Sequence, residues 1–194
     1  MKLICPNSCK IFFAPGMYLY LALLVLLLPI PWLAAATVAV TVHELFHIIA
    51  IKALRLRIYS VRIGMDGTRI HTEPLTEIQE LICSLAGPLG GSILIFLADR
   101  APIIALCAWF QTAFNLLPMY PFDGGRALRS CMNLLFSGTT TDIVCRTAEV
   151  FAASGVILLG IYCTLFLKIG ILPIALAGLF LIRSIKTKIS LQTT

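Results

Sequence analysis

The stretch TVHELFHIIA, residues 41–50, places two histidines and a glutamate inside a run of apolar residues. The apolar residues around it predict a membrane helix. A charged side chain at the centre of such a helix raises the free energy of membrane insertion by about 2.5–3.5 kcal/mol. Glu44 lies more than one helical turn from any lysine or arginine in the sequence. An ionisable residue in such a place indicates a functional site.

The composition supports a membrane protein. Of the 194 residues, 59% are hydrophobic and only 12% are charged, about half the charged fraction of soluble domains. We therefore expect an all-α polytopic membrane protein without a sizeable extramembrane domain. The seven cysteines form no disulfide framework and are interpreted as free thiols, with a metal site at Cys5 and Cys9 as a weaker alternative.

Apolar runs predict about six transmembrane helices, because a helix needs about 20 residues to cross a bilayer. The first run could imitate a secretory signal peptide. We expect it to be retained, since the next span begins at once. The predicted spans are about 12–31, 33–51, 78–98, 101–118, 148–167 and 169–185.

The distribution of basic residues predicts the topology. With the N-terminus inside and six spans, every lysine and arginine except Arg100 and Lys168 lies on the inner side. This bias predicts that both termini are cytoplasmic. The basic residues are spread over every inner loop and form no single run, so we expect no nucleic-acid partner.

The inner loop after the second span has the pattern of a small β-hairpin. Residues 58–73, IYSVRIGMDGTRIHTE, alternate apolar and polar on both sides of Asp66-Gly67. Asp-Gly between such runs is a strong hairpin signal. An amphipathic surface loop is the alternative.

His43, Glu44 and His47 spell H-E-x-x-H. On a helix, positions i and i+4 share a face, so both imidazoles can bind one Zn²⁺. Glu44 lies to one side, where it can take a proton from water without being a ligand. The alternative is a pair of ordinary core histidines; the remaining histidine, His71, is interpreted as a surface residue.

The position of the motif predicts a site inside the membrane. His43 is nine residues before Lys52, so it lies roughly 13 Å below the cytoplasmic surface, where hydrolysis needs a polar cavity. A catalytic zinc also needs a third protein ligand. Asp99 is expected on the outer side, whereas Asp123, in PFDGG, is on the inner side. The alternative role of Asp123 is to N-cap a helix that starts near Gly124.

HELFH at 43–47 and NLLPMYPFDGG at 115–125 resemble the site-2 protease family of intramembrane zinc metalloproteases. That family pairs H-E-x-x-H with N-x-x-P-x-x-P-x-D-G on another helix. The resemblance implies one zinc ion held by His43, His47 and Asp123, with Glu44 as catalytic base and Asn115 as a catalytic helper near the substrate carbonyl. It implies a single membrane-embedded peptidase domain, 1–194, with a core at about 33–135 and extra C-terminal helices at about 148–185.

Within the family, the chain is most similar to the sporulation proteases that cut an inactive precursor of a sigma factor. Two departures are visible. A C-terminal CBS domain is not expected, and Gly91 stands where the family's A-G-P-L-x-N element has asparagine. The resemblance implies a multi-pass protein of the cell membrane, with its active site towards the cytoplasm, a membrane-associated protein as substrate, and inhibitory or regulatory membrane proteins as partners.

The resulting hypothesis is hydrolysis of peptide bonds in or near a membrane-embedded segment. The substrate must be extended there, and the edge of the hairpin at 58–73 could bind it by strand addition. Two alternatives remain: a membrane metal transporter or sensor that uses the same ligands, and a non-catalytic scaffold of the same fold.

Overall fold

The structure is a computed structural model that describes residues 10–15, 18, 22, 24–26, 28–64, 67–136, 138–166 and 178. The chain divides into two compact units, residues 1–113 and 114–194. Each unit is described by itself.

The first unit is organised by helix α1, Ile30–Ala53, which includes the predicted span 33–51. Pro31 occupies its first turn, where a missing N–H costs no hydrogen bond. The helix ends when the N–H of Leu56 donates to Ile51 O and the N–H of Arg55 donates to Lys52 O, both over 3.0 Å. This is a Schellman motif. Arg55, with φ 58°, occupies the left-handed position that glycine usually takes.

Three strands form a small sheet in the order β1-β2-β3. Strands β2, Ile58–Gly64, and β3, Gly67–Thr72, are antiparallel, which confirms the predicted hairpin. Strand β1, Lys10–Phe13, pairs with β2 in parallel. The prediction that the first span begins near residue 12 was wrong, because residues 12 and 13 belong to β1. Seven of the 20 residues of the predicted span 12–31 lie outside the described residues.

Helices α2, Glu77–Ile95, and α3, Pro102–Asn115, complete the first unit. Thr76 and Gln79 form a reciprocal capping box that starts α2. Buried Ala39, Leu94 and Ala108, one from each of α1, α2 and α3, form the small core. The small side chains of Ala39 and Ala108 let the helix backbones approach closely.

The second unit contains α4, Asp123–Leu135, and α5, Gly138–Leu165. Arg129 of α4 and Asp142 of α5 form an ion pair of 3.1 Å. Helix α5 begins ten residues before the predicted span 148–167, because its polar first turns are helical as well. The predicted span 169–185 lies outside the described residues, apart from residue 178.

Among the described residues, three helices are long and apolar enough to cross a membrane: α1, α2 and α5. Helix α3 corresponds to the predicted span 101–118, but its 14 residues extend only about 21 Å, less than the roughly 30 Å of a hydrocarbon core. The chain is therefore mostly helical with a small sheet, and the described part supports three of the six predicted spans.

Candidate metal centre

The two motif histidines lie together on the buried face of α1. His43 is 3% exposed and His47 is 9% exposed. Their Nε2 atoms are 3.2 Å apart, and the ring planes are nearly perpendicular, with centroids 4.8 Å apart. The predicted i, i+4 pairing therefore brings one nitrogen of each ring to a common point.

The backbone of α2 fixes the orientation of His47. Its Nδ1 lies 2.7 Å from the carbonyl oxygen of Cys83. A carbonyl can only accept, so Nδ1 carries a proton and donates it, and Nε2 is the ring atom that faces His43. A ligating histidine is commonly oriented in this way by a carbonyl or carboxylate on its other nitrogen.

Gly87, one turn after Cys83 on α2, leaves the space that the rings occupy. A Cβ at this position would lie 2.7 Å from Nε2 of His43 and 2.6 Å from Cε1 of His47, and it would overlap Nε2 of His47. No side chain fits here unless the imidazoles move. The sequence signal for this close approach is the run of small residues AGPLGG, 86–91.

The histidine pair fits a tetrahedral metal ion. Two nitrogens bound at 2.0–2.1 Å to such an ion lie roughly 3.3 Å apart, close to the observed 3.2 Å. Without a metal ion, a proton on Nε2 of His43 would form a hydrogen bond to Nε2 of His47. A bound metal ion would replace this proton between the two nitrogens. Neutral imidazole is a ligand that suits zinc.

In the second unit, Asp123 is the first residue of α4. Phe122 is the N-cap and makes no side-chain cap bond, so the alternative role of Asp123 as N-cap was wrong. The Asp123 side chain is 9% exposed, and its Oδ1 lies 3.7 Å from Nη1 of Arg126. The helix N-terminus and this cation both stabilise the ionised carboxylate.

The two glycines after Asp123 have a steric role. A Cβ at Gly124 would lie 2.7 Å from the carbonyl oxygen of Leu117, and one at Gly125 would lie 2.6 Å from that of Met119. The start of α4 therefore packs directly on the preceding backbone, which contains a cis peptide bond between Tyr120 and Pro121. This contact explains why glycine follows Asp123 at both positions, since any larger residue there would clash with the backbone.

His43 and His47 in the first unit and Asp123 in the second are all buried, and each offers an atom of a kind that binds metal ions. Glu44 and Asn115, the last residue of α3, are half-buried. His71 is exposed on β3, which confirms it as a surface residue. Cys5 and Cys9, the weaker metal site, lie outside the described residues.

The departure at Gly91 has a physical reason. A Cβ at this position would overlap the hydroxyl of Thr112 on α3. The roles of Gly87 and of the Cys83 carbonyl could not be predicted from the sequence, because both depend on how α2 packs against α1.

Comparison with known proteins identifies the fold. The sequence matches no protein-family model and no curated protein. The structure is similar to that of the site-2 protease from Methanocaldococcus jannaschii, with a TM-score of 0.62 and 21% sequence identity, over 96% of this chain and 94% of that one. The chain therefore has the fold of a site-2 protease.

Proposed function

We propose that the chain is an intramembrane zinc metalloprotease, which hydrolyses peptide bonds in or near the membrane-embedded segment of a membrane-associated protein. The observation that carries the proposal is the histidine pair, with Nε2 atoms 3.2 Å apart and His47 held by the Cys83 carbonyl. The fold of a site-2 protease supports it, as do the apolar helices α1, α2 and α5.

His43, His47 and Asp123 are the proposed ligands of one zinc ion. When bound, zinc would polarise a carbonyl and lower the pKa of a water molecule towards neutrality. The carboxylate of Glu44 would accept a proton from the attacking water and then give it to the leaving amine. The Asn115 amide would donate to the substrate carbonyl and orient it.

The substrate proposal rests on the sequence resemblance. A sigma-factor precursor or another membrane-tethered regulator is proposed, as in the sporulation protease called stage IV sporulation protein FB. The site would lie towards the cytoplasmic side of the cell membrane, with both chain termini cytoplasmic. The extended substrate would pair with an edge of the sheet, and inhibitory membrane proteins would regulate access.

The test compares Glu44→Gln with wild type. Each is co-expressed with the candidate substrate to measure cleavage, and each is purified in detergent to measure bound metal. Because Glu44 is not a proposed ligand, the variant should retain one zinc per chain by elemental analysis while cleavage of a co-expressed substrate disappears. Asp142→Asn makes the same change at an exposed carboxylate on α5 and should cleave normally. Full cleavage by Glu44→Gln would refute the role of Glu44, and zinc uptake by proteoliposomes without any cleavage would favour a transporter.

A further inference from the structure

The segment that follows α1 contains two departures from regular backbone geometry. Arg55 has a φ of 58°, a conformation that strains a residue with a side chain and that glycine adopts freely. Tyr59 is the extra residue of a β-bulge, because its neighbour Ile58 pairs with Thr72 and Ser60 pairs with His71. Strained non-glycine residues, and bulges that redirect a side chain, are both concentrated at functional sites.

The side chains on the outside of this segment are basic and aromatic. Residues 54–59 alternate between half-buried aliphatic residues and exposed ones, and the exposed ones are Arg55, Arg57 and Tyr59. Lys52, in the last turn of α1, is exposed as well, and its carbonyl oxygen accepts from the N–H of Arg55 over 3.0 Å. We call these four residues the basic cluster.

The fold itself makes no use of the cations in the basic cluster. Within the described part of the chain, no acidic side chain forms an ion pair with any of the three. Glu73 lies beside Arg57, but its Oε1 accepts from the backbone N–H over 3.2 Å. The end of α1 is capped by main-chain N–H groups, and glycine at position 55 would form the same bonds without strain. The strained arginine therefore indicates a ligand outside the fold.

The exposed face of α1 leads directly to the basic cluster. Leu45 is 48% exposed and Ile49 is 49% exposed, and Lys52 follows on the same helix face, since it is seven residues after the first and three after the second. Because α1 is long and apolar enough to cross a membrane, its exposed aliphatic side chains face hydrocarbon. Lys52 and the exposed Tyr59 are residue types that mark the level of the lipid headgroups.

We propose that the basic cluster binds the headgroup phosphate of an anionic phospholipid, whose acyl chains lie along Leu45 and Ile49. Each arginine of the cluster can donate two parallel N–H bonds to a phosphate. Lys52 adds a compact positive charge, and the Tyr59 hydroxyl adds a further donor. The continuity between the aliphatic stripe and the cations selects a lipid, because a soluble anion or an acidic peptide would leave the stripe unused.

The test uses the full chain in neutral detergent, titrated with short-chain phosphatidylglycerol and followed by native mass spectrometry. We expect saturable binding that is tighter than that of phosphatidylcholine of the same chain length and that weakens as salt screens the charges. The combined change Lys52→Gln, Arg55→Gln and Arg57→Gln should weaken binding at least tenfold, since each cation beside an anionic headgroup contributes about fivefold. Phosphatidylglycerol should also raise the melting temperature of wild type but not of this variant.

The matched control is Arg62→Gln with Arg100→Gln and Arg146→Gln, which removes the same charge from three separate exposed positions and should leave lipid binding unchanged. Arg55→Gly should melt at a higher temperature than wild type in lipid-free detergent and yet bind phosphatidylglycerol more weakly, a combination that a purely structural role of Arg55 would not give.

Equal weakening by the control, equal binding of phosphatidylcholine, or full binding by the triple glutamine variant would overturn the proposal. So would binding of glycerol 3-phosphate or of a glutamate-rich peptide as tightly as phosphatidylglycerol, since neither has an acyl chain. None of these measurements depends on the proposed hydrolysis.

Discussion

Replacing Gly87 by alanine is the most direct perturbation of the metal centre. The new Cβ would lie 2.7 Å from Nε2 of His43 and 2.6 Å from Cε1 of His47, against at least 3.4 Å for ordinary contact. The His43 ring would therefore have to retreat by about 0.7 Å, and the His47 ring, whose Nε2 overlaps the new atom, by more than that, whereas metal–ligand distances tolerate about 0.2 Å. His47 cannot retreat without losing its bond to the Cys83 carbonyl.

We expect Gly87→Ala to lose at least the 10–100-fold in metal affinity that follows loss of an orienting contact, together with about 1–3 kcal/mol of stability from overpacking. Zinc affinity is measured by competition with a chelator of known affinity, and stability by thermal melting in the presence of chelator. The two measurements separate loss of the ligands from loss of the fold.

Gly90→Ala is the matched control. On the same helix, its Cβ would lie 2.9 Å from Cβ of Phe46 and 2.6 Å from Cδ2, so it crowds a ring that is not a ligand. This variant should lose stability and keep its zinc affinity within a few-fold. If Gly87→Ala binds zinc as tightly as wild type, the two imidazoles do not form the site.

Three further predictions concern stability, each measured by melting in detergent. Thr76→Ala removes the capping box of α2 and should cost about 0.5–2 kcal/mol, whereas Thr76→Ser should not; equal losses would contradict a capping role. Arg55→Gly relieves a left-handed φ of 58° and should stabilise by about 1 kcal/mol; a destabilised variant would show that the arginine side chain contributes more than its backbone costs. A double-mutant cycle of Arg129→Gln and Asp142→Asn should give a coupling of about 0.2–1 kcal/mol, because the side chains are 52% and 68% exposed; the coupling should vanish in high salt, and one that persists would contradict a screened surface pair.

The features predicted correctly from sequence depend on local geometry. The spacing of His43 and His47 fixes their common face once the segment is helical. The alternation around Asp66-Gly67 likewise predicts the two strands of the hairpin, because pairing across a short turn depends on nearby residues.

The features that were missed depend on distant contacts. Strand β1 joins residues about fifty positions later in the chain, and its apolar residues merge in the sequence with the hydrophobic run that follows them. The length of α3 was overestimated because hydropathy continues past Asn115, where the backbone leaves the helix. The start of α5 was placed too late because hydropathy detects its apolar part and not its polar first turns.

The bond between His47 and the Cys83 carbonyl has a mechanical consequence. Its acceptor is a main-chain atom, so substitutions at position 83 can change the side chain and still leave the imidazole oriented. Moving α2 away from α1 by about one ångström along the direction of this 2.7 Å bond would carry it beyond hydrogen-bonding distance. The orientation of His47, and with it the metal affinity of its Nε2, is thus coupled to the relative displacement of two membrane helices. A change in bilayer thickness that shifts one helix against the other would therefore change that affinity.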